Sequence, residues 1–236
     1  EGPEATFLLN GTTRNGQDAT AYFEAPLADG WGYSVVGGYN RQTRQDLDSD
    51  GWIDISGFER QSARARLFYD GASGATAFIT LGAMTEDRVG GTLPGRTTPD
   101  GRPFAQTQDT RRYDAGMVLQ SQVGDLGMLQ FRASGMTQDH RHGFGPVIEN
   151  DRHDTTFAEL SFSANSDRTS LLFGLAAQQD TFTSEAFPAF NYRFTVPSLF
   201  GQVEYDATED LTIAASGTSA AVSMVAVSYT HLAGDS

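Results

Sequence analysis

Glu59-Arg60-Gln61-Ser62-Ala63-Arg64-Ala65-Arg66-Leu67-Phe68-Tyr69-Asp70, a short turn, and then Gly74-Ala75-Thr76-Ala77-Phe78-Ile79-Thr80-Leu81-Gly82-Ala83-Met84-Thr85 decide how this chain is built. In the first segment Ala63, Ala65, Leu67 and Tyr69 alternate with Ser62, Arg64, Arg66 and Phe68. In the second, Ala75, Ala77, Ile79, Leu81 and Ala83 alternate with Thr76, Phe78, Thr80 and Gly82. Successive side chains of a strand point to opposite faces, so period two with one apolar and one polar set is the mark of a strand between two unlike surroundings.

The same pattern recurs outward from this hairpin. Thr156, Ala158, Leu160 and Phe162 oppose Thr155, Phe157, Glu159 and Ser161, and Leu199, Gly201, Val203 and Tyr205 oppose Phe200, Gln202 and Glu204. About eleven strands are predicted, near 4–13, 18–27, 30–42, 59–70, 74–86, 110–122, 126–138, 154–165, 168–180, 196–206 and 210–218. Tight turns (28–30, 70–74, 123–125, 163–168, 207–210) alternate with long polar stretches (42–58, 87–109, 139–153, 181–195) from the second strand onward. In an antiparallel meander every second connection lies at the same end, so the turns share one rim and the long loops the other. Strands of about ten residues, tight turns on one side and long loops on the other belong to an outer-membrane β-barrel. Lipid cannot satisfy free backbone N–H and C=O groups, so a sheet spans it only when closed, with the apolar face outward. A β-sandwich or propeller also uses many strands, but strands near ten residues with one-sided loops suit those folds poorly. The fold expected is therefore all-β, an antiparallel up-and-down meander forming part of a large transmembrane barrel.

Composition narrows the rest. The 236 residues are 39% hydrophobic and carry 16 basic against 30 acidic side chains, a net charge of −14. A phosphate backbone would be repelled, so no nucleic-acid partner is expected. All the basic residues are Arg, and no Cys is present, which excludes disulfides, Cys-ligated zinc and thiol catalysis. No run of about 18 apolar residues indicates a transmembrane helix, and the start Glu1-Gly2-Pro3-Glu4 has no signal-peptide character. Aromatic side chains gather near the tight turns (Trp31, Tyr33, Phe68, Tyr69, Phe162, Tyr205), where an interfacial girdle would lie. Strand propensity alone also favours aromatics.

The order of segments resembles the barrel of a TonB-dependent outer-membrane receptor. The resembling residues are Ala21 to Leu27 followed by Asp29-Gly30-Trp31-Gly32-Tyr33, then Asp46 to Trp52 and Arg64 to Asp70. Glu86-Asp87-Arg88-Val89-Gly90-Gly91-Thr92-Leu93-Pro94-Gly95 is the most distinctive stretch; Asp109 to Gly116 and Phe190-Asn191-Tyr192-Arg193-Phe194 through Gln202 follow. The likeness covers roughly residues 4–216 and implies part of a 22-stranded barrel that surrounds a plug. It also implies capture of a ferric siderophore, haem, cobalamin or a comparable scarce nutrient on the long loops, with energy delivered by the TonB complex through the plug. A lipid bilayer and a small-molecule ligand such as an iron chelate are the other partners implied, and the bacterial outer membrane the location. The chain departs from the family in having no plug, no partner-binding box and no aromatic-terminated last strand. Residues 1–216 are thus read as a partial barrel, and 217–236 as an atypical tail in which the alternation fails. The alternatives are a passive porin-like barrel and a soluble β-rich glycan-binding or hydrolytic domain; a short apolar strand is the other reading of the tail. An open sheet cut from such a barrel would have two unpaired edges and be expected to aggregate in water.

Few residues point to chemistry. Asp46-Leu47-Asp48-Ser49-Asp50-Gly51 begins like a calcium loop, with Asp54 at position nine, so Asp46, Asp48, Asp50 and Asp54 are the candidate Ca²⁺ ligands. Position twelve is Gly57 instead of a bidentate Glu, and a solvated acidic loop is the competing reading. His140, His142 and His153, near Asp139, Glu149, Asp151 and Asp154, offer a His-x-His arrangement in a long loop, readable as transition-metal ligands or as polar surface. No acidic pair stands out for acid–base work and no nucleophile motif appears, so no enzyme is expected. Gly90-Gly91 reads as a turn, and Arg88 as an ion-pair partner holding that loop. Arg64, Arg66, Arg132 and Glu204 must face a wet lumen, because Arg against lipid costs about 2–4 kcal/mol at the midplane.

Overall fold

A computed structural model describes residues 2–71 and 73–226. They form one antiparallel sheet: β1 (Glu4–Gly11), β2 (Gly16–Pro26), β3 (Trp31–Gln42), β4 (Gly57–Asp70), β5 (Thr76–Gly91), β6 (Ala105–Gln122), β7 (Met128–Phe144), β8 (Val147–Asn165), β9 (Thr169–Ser184), β10 (Tyr192–Thr208) and β11 (Leu211–Ala220). Each strand pairs with its neighbours in sequence from β1 to β11, and a short β12 (Ser223–Ala226) continues the ladder of β11 along β10 after a two-residue break. The sole helical element among the described residues is a 3-10 turn, Pro188–Phe190. No described helix is long and apolar enough to cross a membrane.

Register sorts the side chains into two faces. One carries Ala63, Ala65, Leu67 and Tyr69 of β4, Ala77, Ile79 and Leu81 of β5, Tyr113, Ala115, Met117 and Leu119 of β6, and Leu160 and Phe162 of β8, level with Leu171, Phe173 and Leu175 of β9 and Leu199, Val203 and Tyr205 of β10. The other carries Ser34, Arg64, Arg66, Thr80, Asp114, Arg132, Ser134, Glu159 and Glu204. Arg64, Arg66, Arg132 and Glu204 therefore share the polar face, as the alternation requires.

Burial runs opposite to that of a water-soluble domain. Leu9, Leu81, Leu175, Leu199 and Ile213 are more than half exposed, whereas Ser34, Glu86, Thr110, Glu159, Ser161 and Ser184 are buried on the polar face. Ile53, in a loop, is the one buried hydrophobic side chain among the described residues. A single layer with no second sheet or helix packed on it among the described residues has no dry interior there; its apolar surface faces outward. On β10 that surface runs from Pro197 to Tyr205, eight steps or ~26 Å along the strand at about 3.3 Å per residue. At a tilt of about 40° it stands ~20 Å tall, close to the apolar band of a membrane barrel.

Aromatic side chains bound this belt. Trp31 and Tyr69 pack with ring centroids 4.7 Å apart, Phe162 and Phe173 at 5.5 Å, all near the tight turns. Phe68 departs from the girdle expected for it: it lies on the polar face against Phe78, 5.5 Å away.

Above the belt the strands continue far beyond the lengths predicted. Residues 139–153 are not a loop: β7 reaches Phe144, β8 starts at Val147, and Gly145-Pro146 alone join them. Gly90-Gly91 are not a turn but the last residues of β5, paired with Gln106 and Ala105. The other long stretches shrink to 92–104 and 185–191, while 43–56 remains close to its expected extent. These strand ends escape detection because outer positions such as Glu59, Asp87, Asp109, Arg111, Asp139, Arg141 and Arg152 are as polar as the inner ones, so no alternation marks them. The tail set off at residue 217 begins inside β11; residues 217–220 and 223–226 stay on the ladder, and 227–236 lie outside the described residues.

Candidate functional site

The rim opposite the tight turns carries the structure's built loops. Segments 43–56 and 92–104 dock on each other through Ile53 N–H to Gly91 O (2.8 Å) and Leu93 N–H to Gly51 O (2.9 Å). Trp52 stacks on Phe104 with centroids 6.1 Å apart. Gln42 and Gln45 each donate from Nε2 to Arg14 O at 2.6 Å, tying the pair to the β1–β2 turn. The bare backbone at Gly51 and Gly91 lets the crossing be close: a Cβ at Gly91 (φ +81°) would stand 2.0 Å from Phe104 O.

Within the 43–56 loop, Asp46, Asp48 and Asp50 bring carboxylate oxygens within 4.8 Å of one another. Each is already spoken for by the loop backbone. Asp46 accepts from Ser49 N–H (2.7 Å) and Gly51 N–H (2.9 Å), Asp48 from Asp50 N–H (3.2 Å), and Asp50 from Trp52 N–H (2.7 Å). Asp54 does not join them; its carboxylate accepts from Leu47 N–H at 2.7 Å. Of the four Ca²⁺ candidates read from sequence, Asp46, Asp48 and Asp50 are brought together and also organise the turn, and Asp54 is not in that group. Desolvation in the loop pushes the Asp46 carboxyl up, but the N–H donors of Gly51 and Ser49, with Asp48, outweigh it and hold it below the ordinary carboxylate range.

The polar face is a wall of paired charges. Arg64 reaches Asp114 at 2.7 Å and Thr80 Oγ1 at 3.1 Å, and Arg112 lies 3.5 Å from the same carboxylate. Arg132 Nε donates to Glu159 at 2.9 Å. Nearer the mouth Glu86, buried, takes Arg60 Nε at 2.7 Å and Arg88 at 3.2 Å, and both guanidiniums sit over the Phe58 ring. Arg88 is therefore an ion-pair partner, as expected, but of a strand residue rather than a loop. Sequence reading missed Glu86, Arg60, Asp114 and Arg112 as partners because Arg60 stands directly opposite Glu86 and Arg64 faces Asp114 across Gly82 of the intervening strand, relations that only register reveals.

Strand extension brings together the histidines. His140 and His142, on the polar face of β7, both meet Asp151 of β8: His140 Nδ1 lies 2.9 Å from Oδ1 and His142 Nε2 3.2 Å from Oδ2. His153 is not part of the group; its Nε2 pairs with Asp180 of β9 at 3.0 Å. Asp139 and Asp154 fall on the opposite face, where they pair with Arg152. Beside His153 an aromatic run, Phe182–Tyr192–Phe194, lines the inner wall with centroids 5.8 and 4.8 Å apart. Burial first, and Asp180 second, push the Tyr192 hydroxyl pKa up. Phe187 and Phe190 stand exposed on the adjoining 3-10 turn.

Polar inner wall, docked loops and exposed aromatics make this rim a surface suited to contact a solute, with no nucleophile–base pair assembled among the described residues. No protein-family model matches the chain, and no curated protein matches it. Solved structures do. A single-residue mutant of the ferric enterobactin receptor PfeA from Pseudomonas aeruginosa aligns with a TM-score of 0.63 and 8% identity over 93% of this chain and 39% of that one. The siderophore receptor PiuA from Acinetobacter baumannii aligns at 0.59 and 9% over 95% of this chain and 46% of that one. The chain spans less than half the length of either, and what it shares with them at such identities is the fold of a receptor barrel segment.

Proposed function

We propose that this chain is about half of the barrel of a TonB-dependent outer-membrane receptor that takes up a ferric siderophore or a similar scarce nutrient. The observation that carries the reading is the inverted burial: an apolar belt ~20 Å tall faces outward, paired charges line the inner wall, and built loops stand on one rim only. Both solved structures it resembles are described as siderophore receptors.

On this reading the outward belt contacts lipid of the bacterial outer membrane, and the loop rim faces outside. A ligand is met first by Phe187, Phe190 and the docked 43–56 and 92–104 loops, then by the inner wall of Arg60, Glu86 and Arg88. Energy arrives from the TonB complex through a plug domain. The protein moves its ligand unchanged and acts as a receptor, not an enzyme. A soluble glycan-binding or hydrolytic domain is disfavoured because the sheet buries no apolar face against a second layer.

Deleting the gene that encodes the chain should abolish uptake of at least one radiolabelled ferric siderophore by iron-starved cells, and a protonophore should abolish it in the parent strain. Uptake that survives the protonophore, together with steady conductance of the purified protein in a planar bilayer, would establish the passive porin instead. Recovery of the protein from the soluble fraction as a folded monomer would refute both.

A further inference from the structure

We infer that His140, His142 and Asp151 form a binding site for a divalent transition-metal ion of the Zn²⁺, Ni²⁺ or Cu²⁺ class on the inner wall of the β7–β8 hairpin. The inference goes beyond nutrient uptake and does not depend on it: it needs only the pairing of these two strands.

The donors converge. One ligand atom from each of the three residues lies within 4.8 Å of the others. Around a tetrahedral ion with bonds of about 2.0–2.2 Å, donor atoms stand about 3.4 Å apart, so small χ rotations close the site. Rigidity helps as well. The two histidines are at alternate positions of one strand and therefore share a face, and Asp151 is the direct cross-strand partner of His140. Glu149 faces the same way, directly opposite His142. Gly145-Pro146 closes the hairpin beyond, so the residues are held on a ladder rather than on a free loop.

Beside His140 stands the side-chain amide of Gln138, a group able to orient a metal-ligating imidazole once it turns its oxygen to the ring. Gln138 Nε2 lies 2.7 Å from His140 Nε2, and an amide nitrogen can only donate. His140 therefore accepts at Nε2 and directs Nδ1–H at Asp151. Metallation at Nδ1 moves the ring proton to Nε2, where Gln138 receives it by presenting its amide oxygen. The side chains of His140 and Asp151 are 18% and 14% exposed, enough shelter to exclude bulk water from the bonds and enough opening for an ion to enter.

Two imidazoles with a carboxylate are borderline donors. They select Zn²⁺, Ni²⁺ or Cu²⁺ over Ca²⁺ or Mg²⁺, which prefer oxygen alone. The site lies above the apolar belt, where the opposite face carries Asp139, Arg141 and Arg152, and so opens to the aqueous mouth. A bound ion would clip β7 to β8 near the tip and leave at least one coordination position toward the lumen.

The full-length protein that contains this chain, folded in detergent micelles, should be titrated with Co²⁺ by visible absorption and with Zn²⁺ by calorimetry. One ion per chain is expected, with Co²⁺ bands of tetrahedral intensity. H140A/H142A should weaken binding by about a hundredfold or more and D151N by about tenfold, since even supporting contacts of metal sites are worth about 10–100-fold. H153A and the triple variant D46N/D48N/D50N should leave it unchanged. Parental affinity in H140A/H142A would overturn the assignment. So would parental affinity in D151N, because the histidines would then bind without β8, as an unfolded His-x-His also does.

Discussion

Below the level of Tyr39 and Tyr113 the two faces of the sheet meet different surroundings; above it they meet the same one. In the lower half of β10, Gly201, Val203 and Tyr205 oppose Gln202 and Glu204, and in β4 Ala63, Ala65 and Leu67 oppose Ser62, Arg64 and Arg66. In the upper half, Asp139 and Arg141 on one face of β7 oppose His140 and His142 on the other, and the sequence alternates between polar and polar. Alternation is thus a record of contrast between solvents, not of strand structure. A strand leaves that record only along the part where its two faces meet unlike surroundings, which on the proposed function are lipid and water.

The sharpest break of this comparison is a charge placed on the outer face at two heights. Leu175→Arg lies in the belt and should cost about 2–4 kcal/mol. Thr181→Arg lies on the same face of the same strand, between Asp154 and Arg193, and should cost less than about 1 kcal/mol. Urea titration of the full-length protein folded into lipid vesicles measures both. Equal penalties would mean that the belt has been placed on the wrong stretch of the strand.

The inner wall supplies the next contrast. Glu159 is 8% exposed and Arg132 is its ion-pair partner, whereas the Arg132 side chain is 46% exposed. Arg132→Ala strands a buried carboxylate and should cost about 1–3 kcal/mol, discounted from a fully buried pair because water reaches the guanidinium. Glu159→Ala leaves an arginine that water can solvate, and should cost clearly less. A double-mutant cycle on urea midpoints separates the pair from its parts; equal single-variant losses would show that the wall is drier than the lumen reading requires.

Legibility followed the same boundary. The meander, the one-sided loops and the inward set Arg64, Arg66, Arg132 and Glu204 could all be read, because each sits beside the belt and inherits its alternation. The extension of β7 and β8 to Phe144 and Val147 could not, and with it went the meeting of His140, His142 and Asp151, which looked like scattered loop residues. Glu86 with Arg60 and Arg88 was hidden for another reason. Its partners lie on a neighbouring strand and two positions along its own, a relation that exists only once register is fixed. The aspartate loop was recognisable as an acidic turn, but backbone donors, not the spacing, decide that Asp54 leaves the set.

The mouth loops allow a finer test, since their order rests on contacts rather than on a solvent boundary. Gly91→Ala puts a Cβ 2.0 Å from Phe104 O at φ +81°, so the 92–104 segment must move off; a local loss of about 1–2 kcal/mol is expected. Gly101→Ala, at φ +80° with nothing within 4 Å, bears only the backbone strain, about 1 kcal/mol. Limited proteolysis should cut 92–104 faster in the first variant than in the second. Equal rates would show that the loops are not docked.

Acid gives the smallest and most local effect. The Asp46 carboxyl is held below its ordinary range, because the Gly51 and Ser49 donors and Asp48 outweigh a desolvation that acts in the other direction. A depressed carboxylate pKa stabilises the fold at pH values above the unfolded pKa, and that contribution disappears as pH falls through the lower folded value. The loop should therefore keep its order from neutrality down to about pH 4 and loosen only below it. Trp52 stacks on Phe104 beside this turn, so its fluorescence, recorded in a Trp31→Phe background, reports the loosening. Asp46→Asn keeps the acceptor oxygen but has no charge to lose, and its Trp52 signal should be flat across the same acid range. A transition of equal size in that variant would place the acid-sensitive group elsewhere on the rim and detach the pH response from the turn.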